Sequence, residues 1–110
     1  MESKLIQQGD VLFHQEKANV LTMKKVPSES GRLIFAKGEA TGHHHSVAED
    51  SGVDLWLDTA GTLWCVVTNS EGATVEHQEH NPVHLKKGTY RIGIVREVDP
   101  FSEEIRSVID

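Results

Sequence analysis

Turn-forming residues interrupt this chain at intervals of roughly 8–12 residues, and the segments between them are short and extended. The segment 53–58 shows the pattern most clearly, because Val53, Leu55 and Leu57 alternate with polar or outward-facing side chains. This period of two is typical of a strand with one buried face. Helical periodicity is absent from most of the chain, so the sequence predicts an all-β fold, either a small barrel or a sandwich.

The sequence predicts other short extended segments between turns, in chain order 11–13, 20–26, 32–36, 63–67, 73–77 and 89–98. The C-terminus differs from them. Asp99 is a suitable N-cap and Pro100 suits the first helical position. Phe101, Ile105 and Val108 then fall on one helical face. This pattern predicts a short terminal helix docked on the β domain, with an edge strand as the alternative.

Length and charge limit the function classes. The chain has 110 residues, which indicates one domain over residues 1–110. It carries 11 basic and 17 acidic residues, a net charge of −6, whereas nucleic acids and anionic membranes attract basic surfaces. No apolar run approaches the ~20 residues of a membrane span. With Cys65 as its one cysteine, the chain is expected to be cytoplasmic and without an internal disulfide.

Six of the seven histidines lie in two short windows, 43–45 and 77–84. In an extended chain, His43 and His45 point to one face and His44 points to the other. Two imidazoles with this spacing can converge on one ion. Imidazole and carboxylate ligands suit zinc, nickel, iron or manganese, so the first window predicts a divalent-metal site.

The second window offers further ligands. On a strand, His77 and Glu79 share a face that His80 opposes. Pro82 makes a regular helix unfavourable here, so the spacing of these histidines is not that of a helical metal pair. A bend at Asn81 and Pro82 would turn His80 toward the cavity that His77 faces.

The first window resembles the first motif of the cupin family, in which His-x-His is followed after three or four residues by Glu. His43, His45 and Glu49 match that pattern. The second cupin motif, Pro-x-Gly followed by two residues and His, is similar to the segment 86–91. Here Lys86 replaces the proline and Arg91 replaces the histidine.

The cupin resemblance implies a jelly-roll-like barrel that holds one metal ion. Because Arg91 stands where the family has its last histidine, a histidine of the second window would have to replace that ligand. The ligands implied in this way are His43, His45, Glu49, His77 and His80.

The chain is also similar to a group of small uncharacterised bacterial and phage-borne proteins. They share a Thr-Gly-His-x-His stretch, here residues 41–45, and a His-x-Glu-His stretch, here residues 77–80. A Gly-x-Tyr-Arg segment at 88–91 and a charged tail at 96–110 complete the resemblance. It covers most of the chain and implies no particular activity.

The leading hypothesis is a small protein that binds one divalent metal and leaves open positions for water or a small oxygen-rich ligand. Glu79 or Glu39 is then the candidate general base. Arg91 is the candidate for holding a substrate carboxylate.

Two alternatives stay open. The first is a metal-free enzyme that uses histidine and glutamate as acid and base, since histidine titrates near neutral pH. The second is a non-catalytic β-rich module whose histidines lie on the surface or at an interface. A homo-oligomer is compatible with each hypothesis, because small β domains often bury a strand edge against a second copy.

Overall fold

The computed structural model describes residues 5–37 and 42–95. These residues form ten β-strands and one 3-10 turn at Val20–Thr22, so the predicted all-β fold is confirmed. The strands are β1 (Leu5–Gln8), β2 (Val11–Gln15), β3 (Lys24–Val26), β4 (Arg32–Lys37), β5 (His44–Ala48), β6 (Val53–Leu57), β7 (Leu63–Val67), β8 (Ala73–Val75), β9 (Val83–Leu85) and β10 (Gly88–Ile94). The predicted C-terminal helix at 99–108 lies outside the described residues.

The strands form antiparallel sheets. The largest has six strands in the order β1-β2-β10-β7-β6-β3, and β4-β5 and β8-β9 form two-stranded sheets. Among the strands of residues 5–37 and 42–95, these sheets do not close into one barrel. Of the two architectures that the sequence left open, the arrangement is therefore closer to a sandwich.

One apolar core joins the three sheets. Phe13 of the large sheet contacts Phe35 of β4 edge to face, with ring centroids 5.3 Å apart. Val47 of β5 and Val75 of β8 are fully buried in the same core. Burying a side chain of this size contributes about 1.5–3 kcal/mol. The core therefore fixes the two small sheets against the inner face of the large one.

Two predicted strand boundaries were wrong. The segment 20–26 is not one strand, because Asn19 Oδ1 accepts a hydrogen bond from the Leu21 amide and caps the 3-10 turn before β3 begins. The segment 73–77 is a strand only as far as Val75, and Glu76 instead forms an isolated bridge with Ser46. Among the described residues, no helix is long and apolar enough to cross a membrane.

Candidate functional site

The two histidine windows meet where β5 lies beside the end of β8. Ser46 and Glu76 exchange two backbone hydrogen bonds, with N···O distances of 3.0 and 2.8 Å. In an antiparallel pair, this register sets the preceding residue of one strand opposite the following residue of the other. His45 therefore lies opposite His77, and their ring centroids are 4.3 Å apart.

Four imidazole rings gather at this point, and we call them the histidine cluster: His43, His45, His77 and His80. Three further centroid distances are 5.8 Å for His43 to His77, 4.6 Å for His77 to His80 and 5.9 Å for His45 to His80. His80 reaches the cluster because the chain bends over residues 78–80. The sequence predicted this bend at Asn81 and Pro82, but in the structure it begins earlier, at residue 78.

Gln8 fixes the tautomer of His45. The Gln8 side-chain amide donates to the backbone carbonyls of Val75 and Asn81, each at 3.0 Å, which determines the orientation of the amide. Its Oε1 atom then lies 2.8 Å from Nδ1 of His45. Since Oε1 can only accept, His45 Nδ1 carries the hydrogen and Nε2 presents a lone pair.

The lone pair of His45 faces a carboxylate. Nε2 of His45 is 3.6 Å from Oδ1 of Asp10. His45 is only 3% exposed, and burial lowers its pKa to about 4, with a further lowering from His77 and an opposing effect of Asp10. His45 is consequently neutral near pH 7, and two hydrogen-bond acceptors face each other with no proton between them.

Gly9 allows the β1-β2 turn to approach the cluster. Its φ of +59° is in the left-handed region, which favours glycine. A Cβ atom at this position would lie 2.7 Å from Nε2 of His80. The turn therefore forms one wall of the site, with Gln8 and Asp10 on either side of the glycine.

His77 is held as the opposite tautomer from His45. Its Nδ1 atom accepts hydrogen bonds from the backbone amides of Glu79 at 3.0 Å and His80 at 3.3 Å. The neutral ring therefore carries its hydrogen on Nε2. Burial lowers the pKa of His77, and the neighbouring imidazoles of His80 and His43 lower it further.

Glu79 lies at the exposed edge of the histidine cluster. Its Oε1 atom is 3.7 Å from Nδ1 of His43, and its side chain is 68% exposed. The structure thus brings Glu79 together with the four predicted histidines. Because the carboxylate is solvated, it is free to move toward a ligand at this edge.

Two other predicted site residues lie elsewhere. Glu49 follows the far end of β5, where its carboxylate accepts a hydrogen bond from Ser28 Oγ at 2.6 Å. Arg91 lies on the outer face of the large sheet and donates from Nε to Glu16 at 2.7 Å. Glu39 lies outside the described residues.

The sequence interpretation missed Gln8 and Asp10. The predicted extended segments begin at residue 11, so β1 was not predicted and nothing indicated that the turn at Gly9 and Asp10 reaches the histidines. The available signal was a polar residue on each side of a turn glycine, which is too common to identify a site. The pairing of β1 with β2 and the core contacts of β8 bring the turn and the histidines together.

The cluster is not a completed metal site. In the parts of the chain that the structure describes, no three His, Cys, Asp or Glu side chains have their donor atoms arranged to hold a metal ion. At the edge of the cluster, the Asp10 carboxylate lies 3.6 Å from Nε2 of His45, the nitrogen that the contact with Gln8 leaves as an acceptor. The rings of His77 and His80 lie 4.3 and 5.9 Å from the ring of His45, measured between centroids.

Comparison with known proteins gives one family. A family model described as "Domain of unknown function (DUF8820)" matches residues 7–95. Because the match covers most of the chain, the chain belongs to this family. No curated protein and no solved structure matches the chain significantly.

Proposed function

We propose that this member of the DUF8820 family binds one divalent metal ion at the histidine cluster, with His45 and Asp10 as the first two ligands. One observation carries the proposal. The Nε2 lone pair of His45 and the carboxylate of Asp10 face each other at 3.6 Å, and Gln8 prevents the proton on Nδ1 from moving to Nε2. A cation placed between them would satisfy both acceptors.

The spacing of this pair suits a first-row metal. Two ligands of a tetrahedral zinc ion with bonds of about 2.0–2.1 Å lie about 3.4 Å apart. The observed 3.6 Å is close to that value, so a metal requires little movement of either side chain. The contact from Gln8 to His45 supports the same proposal, because metal-binding histidines commonly donate their second N–H to a fixed acceptor.

The remaining ligands would come from His80, His43 and His77. His80 is stacked beside His45, with an interplanar angle of 15°, and rotation of its side chain turns a nitrogen toward the pair. His77 is a less favourable ligand in its present orientation. Its Nδ1 is already an acceptor for two backbone amides. Binding a metal through Nε2 would place the ring hydrogen on Nδ1, which could then no longer accept from those amides.

The protonation state of His45 favours metal binding over metal-free acid–base catalysis. A pKa of about 4 means that protons do not compete for Nε2 near neutral pH. The same value makes His45 a weak general base there, because an effective base has a pKa near the working pH. Glu79, at the exposed edge, remains the candidate acid or base of the site.

Three protein ligands would leave a position for water or a small oxygen-rich ligand, as in catalytic rather than structural metal sites. The bound ion would supply a Lewis acid at that position. Nitrogen and carboxylate ligands are compatible with zinc, nickel, iron or manganese.

The test is metal analysis of untagged protein together with zinc titration of the metal-free protein. We expect one metal ion per chain in the wild type. Zinc should raise the melting temperature, because a ligand that binds only the folded state stabilises it. His45→Ala and Asp10→Asn should each weaken zinc affinity by roughly 10–100-fold or more.

His84→Ala is the matched control. His84 belongs to the same window, but it is exposed on β9 and its ring lies beside Gly72. Its substitution should leave zinc affinity unchanged. The proposal fails if no stoichiometric metal is found and added zinc, nickel, iron or manganese leaves the melting temperature unchanged, or if His84→Ala and His45→Ala have equal effects.

A further inference from the structure

A second polar site lies on the opposite face of β5. Side chains alternate along a strand, so His44 and Ser46 point away from the face that carries His45. They line a cavity of about 350 Å³ together with Arg32, Glu76, His77 and Gln78. We call this cavity the outer pocket.

The base of the outer pocket is a fixed hydrogen-bond network. Arg32 Nε donates to Ser46 Oγ at 3.0 Å, and Arg32 Nη2 donates to the Ser46 carbonyl at 3.2 Å. Ser46 is only 1% exposed. These contacts hold the plane of the guanidinium against the strand, so its position is set before any ligand arrives.

The network also includes His44. Ser46 Oγ accepts from Arg32 Nε and also lies 2.9 Å from Nδ1 of His44. The hydroxyl can donate to Nδ1 or accept from it, because it has one hydrogen and two lone pairs. When Ser46 donates, Nε2 of His44 carries the ring hydrogen and is a donor at the outer pocket.

Two donor groups belong to the outer pocket. Gln78 Oε1 accepts from the His44 backbone amide at 2.8 Å, and the Gln78 amide nitrogen has no acceptor among residues 5–37 and 42–95. Arg32 uses Nε and Nη2 on protein acceptors, and its Nη1 has no acceptor in the same part of the chain. The outer pocket is thus lined by donors on Arg32 and Gln78, with the His44 ring beside them.

We infer that the outer pocket binds the oxyanion of a small carboxylate- or phosphate-bearing molecule. Charge-assisted hydrogen bonds from a guanidinium are the strong contacts for such groups. The competing charge is Glu76, whose Oε1 lies 3.0 Å from Arg32 Nη2. The Glu76 side chain is 62% exposed, so it can turn into solvent when an oxyanion binds.

The inference does not depend on the metal proposal, and its test separates the two. Metal-free full-length protein, kept in chelator, is titrated with inorganic phosphate and separately with acetate while amide and Arg32 Nε–H resonances are followed by NMR. We expect saturable shifts of Arg32 Nε–H, the His44 amide and the Gln78 side-chain amide. Saturation by phosphate alone identifies a phosphate site, and saturation by acetate alone identifies a carboxylate site.

Two substitutions should act in opposite directions. Arg32→Gln should weaken binding about tenfold or more, because a charge-assisted hydrogen bond contributes about 1.5–3 kcal/mol. Glu76→Gln removes the competing charge and should tighten binding several-fold. Because Glu76 is exposed, this variant also keeps the test valid if Arg32→Gln destabilises the fold.

Lys25→Gln is the control, since Lys25 also pairs with a carboxylate, Asp54 Oδ1 at 3.4 Å, but lies on β3 of the large sheet. Its substitution should leave binding unchanged. Non-saturable shifts with both anions overturn the inference. So does an equal loss in Lys25→Gln and Arg32→Gln, or weaker binding in Glu76→Gln.

Discussion

At the scale of single residues, the Gln8 amide controls which nitrogen of His45 is available. Its donors are fixed by two backbone carbonyls, so its oxygen must face His45 Nδ1. An alanine or a serine at this position could not set the tautomer in this way. Gln8 is therefore a positioning residue, and its effect on a metal would act through His45.

We predict that His45 is the Nδ1–H tautomer in the metal-free protein at neutral pH. Long-range ¹H–¹⁵N NMR distinguishes the two tautomers by their nitrogen shifts. In Gln8→Ala the preference should be lost and zinc affinity should fall roughly 10–100-fold. An Nε2–H tautomer in the wild type would contradict the proposed role of Gln8.

Gly9→Ala tests the close approach of the β1-β2 turn. A left-handed φ costs a non-glycine residue roughly 1–2 kcal/mol, and the added Cβ would also displace His80. Gly61→Ala is the matched control, because Gly61 has a φ of +86° but open space around its Cα. Both variants should lose similar stability in urea unfolding.

Only Gly9→Ala should also weaken zinc binding, by about tenfold. If Gly9→Ala and Gly61→Ala bind zinc equally well, His80 is not a ligand.

At the scale of secondary-structure elements, the bridge between β5 and β8 unites the two histidine windows. Ser46 and Glu76 are 30 residues apart in the chain (76 − 46), and their two backbone hydrogen bonds align His45 with His77. The bridge lies beside the core residues Val47 and Val75, which are fully buried. Core packing therefore maintains the register of the site.

Hydrogen exchange tests the bridge. The amides of Ser46 and Glu76 should exchange much more slowly than the amide of Glu71, which donates to the Asn69 side chain in an exposed turn. Buried strand amides exchange only through larger opening motions. Exchange of the Ser46 and Glu76 amides as fast as that of Glu71 would show that β5 and β8 are not stably paired.

The sequence predicted features that depend on local pattern. Alternation along β6 gave a correct strand, and alternation in the first window separated His45 from His44. The partner of β5 could not be predicted, because strand pairing depends on contacts between distant segments. For the same reason, the pairing of Arg91 with Glu16 and the distance of Glu49 from the cluster emerged only from the fold.

At the scale of the whole molecule, folding places a neutral histidine in a buried position. The unfolded chain binds a proton at this group near pH 6.5, whereas the folded protein does so only near pH 4. As the pH falls through this interval, protons bind preferentially to the unfolded state. The free energy of unfolding must therefore decrease.

We predict that the metal-free protein loses stability between about pH 6.5 and 4, by at most about 3 kcal/mol from His45. Urea unfolding across this range measures the loss. In His45→Gln the free energy of unfolding should decrease less over this range, by that amount. Below pH 4 the difference in unfolding free energy between the two proteins should stay constant. Parallel curves for both proteins would show that His45 is not buried as a neutral group.

The most direct test of the proposed metal site is a crystal structure of untagged, zinc-loaded protein with anomalous data at the zinc edge. The expected result is one strong anomalous peak per chain at bonding distance, about 2.0–2.1 Å, from both His45 Nε2 and Asp10. A peak bound only by His84 or other residues outside the histidine cluster would contradict the proposal, as would the absence of any peak.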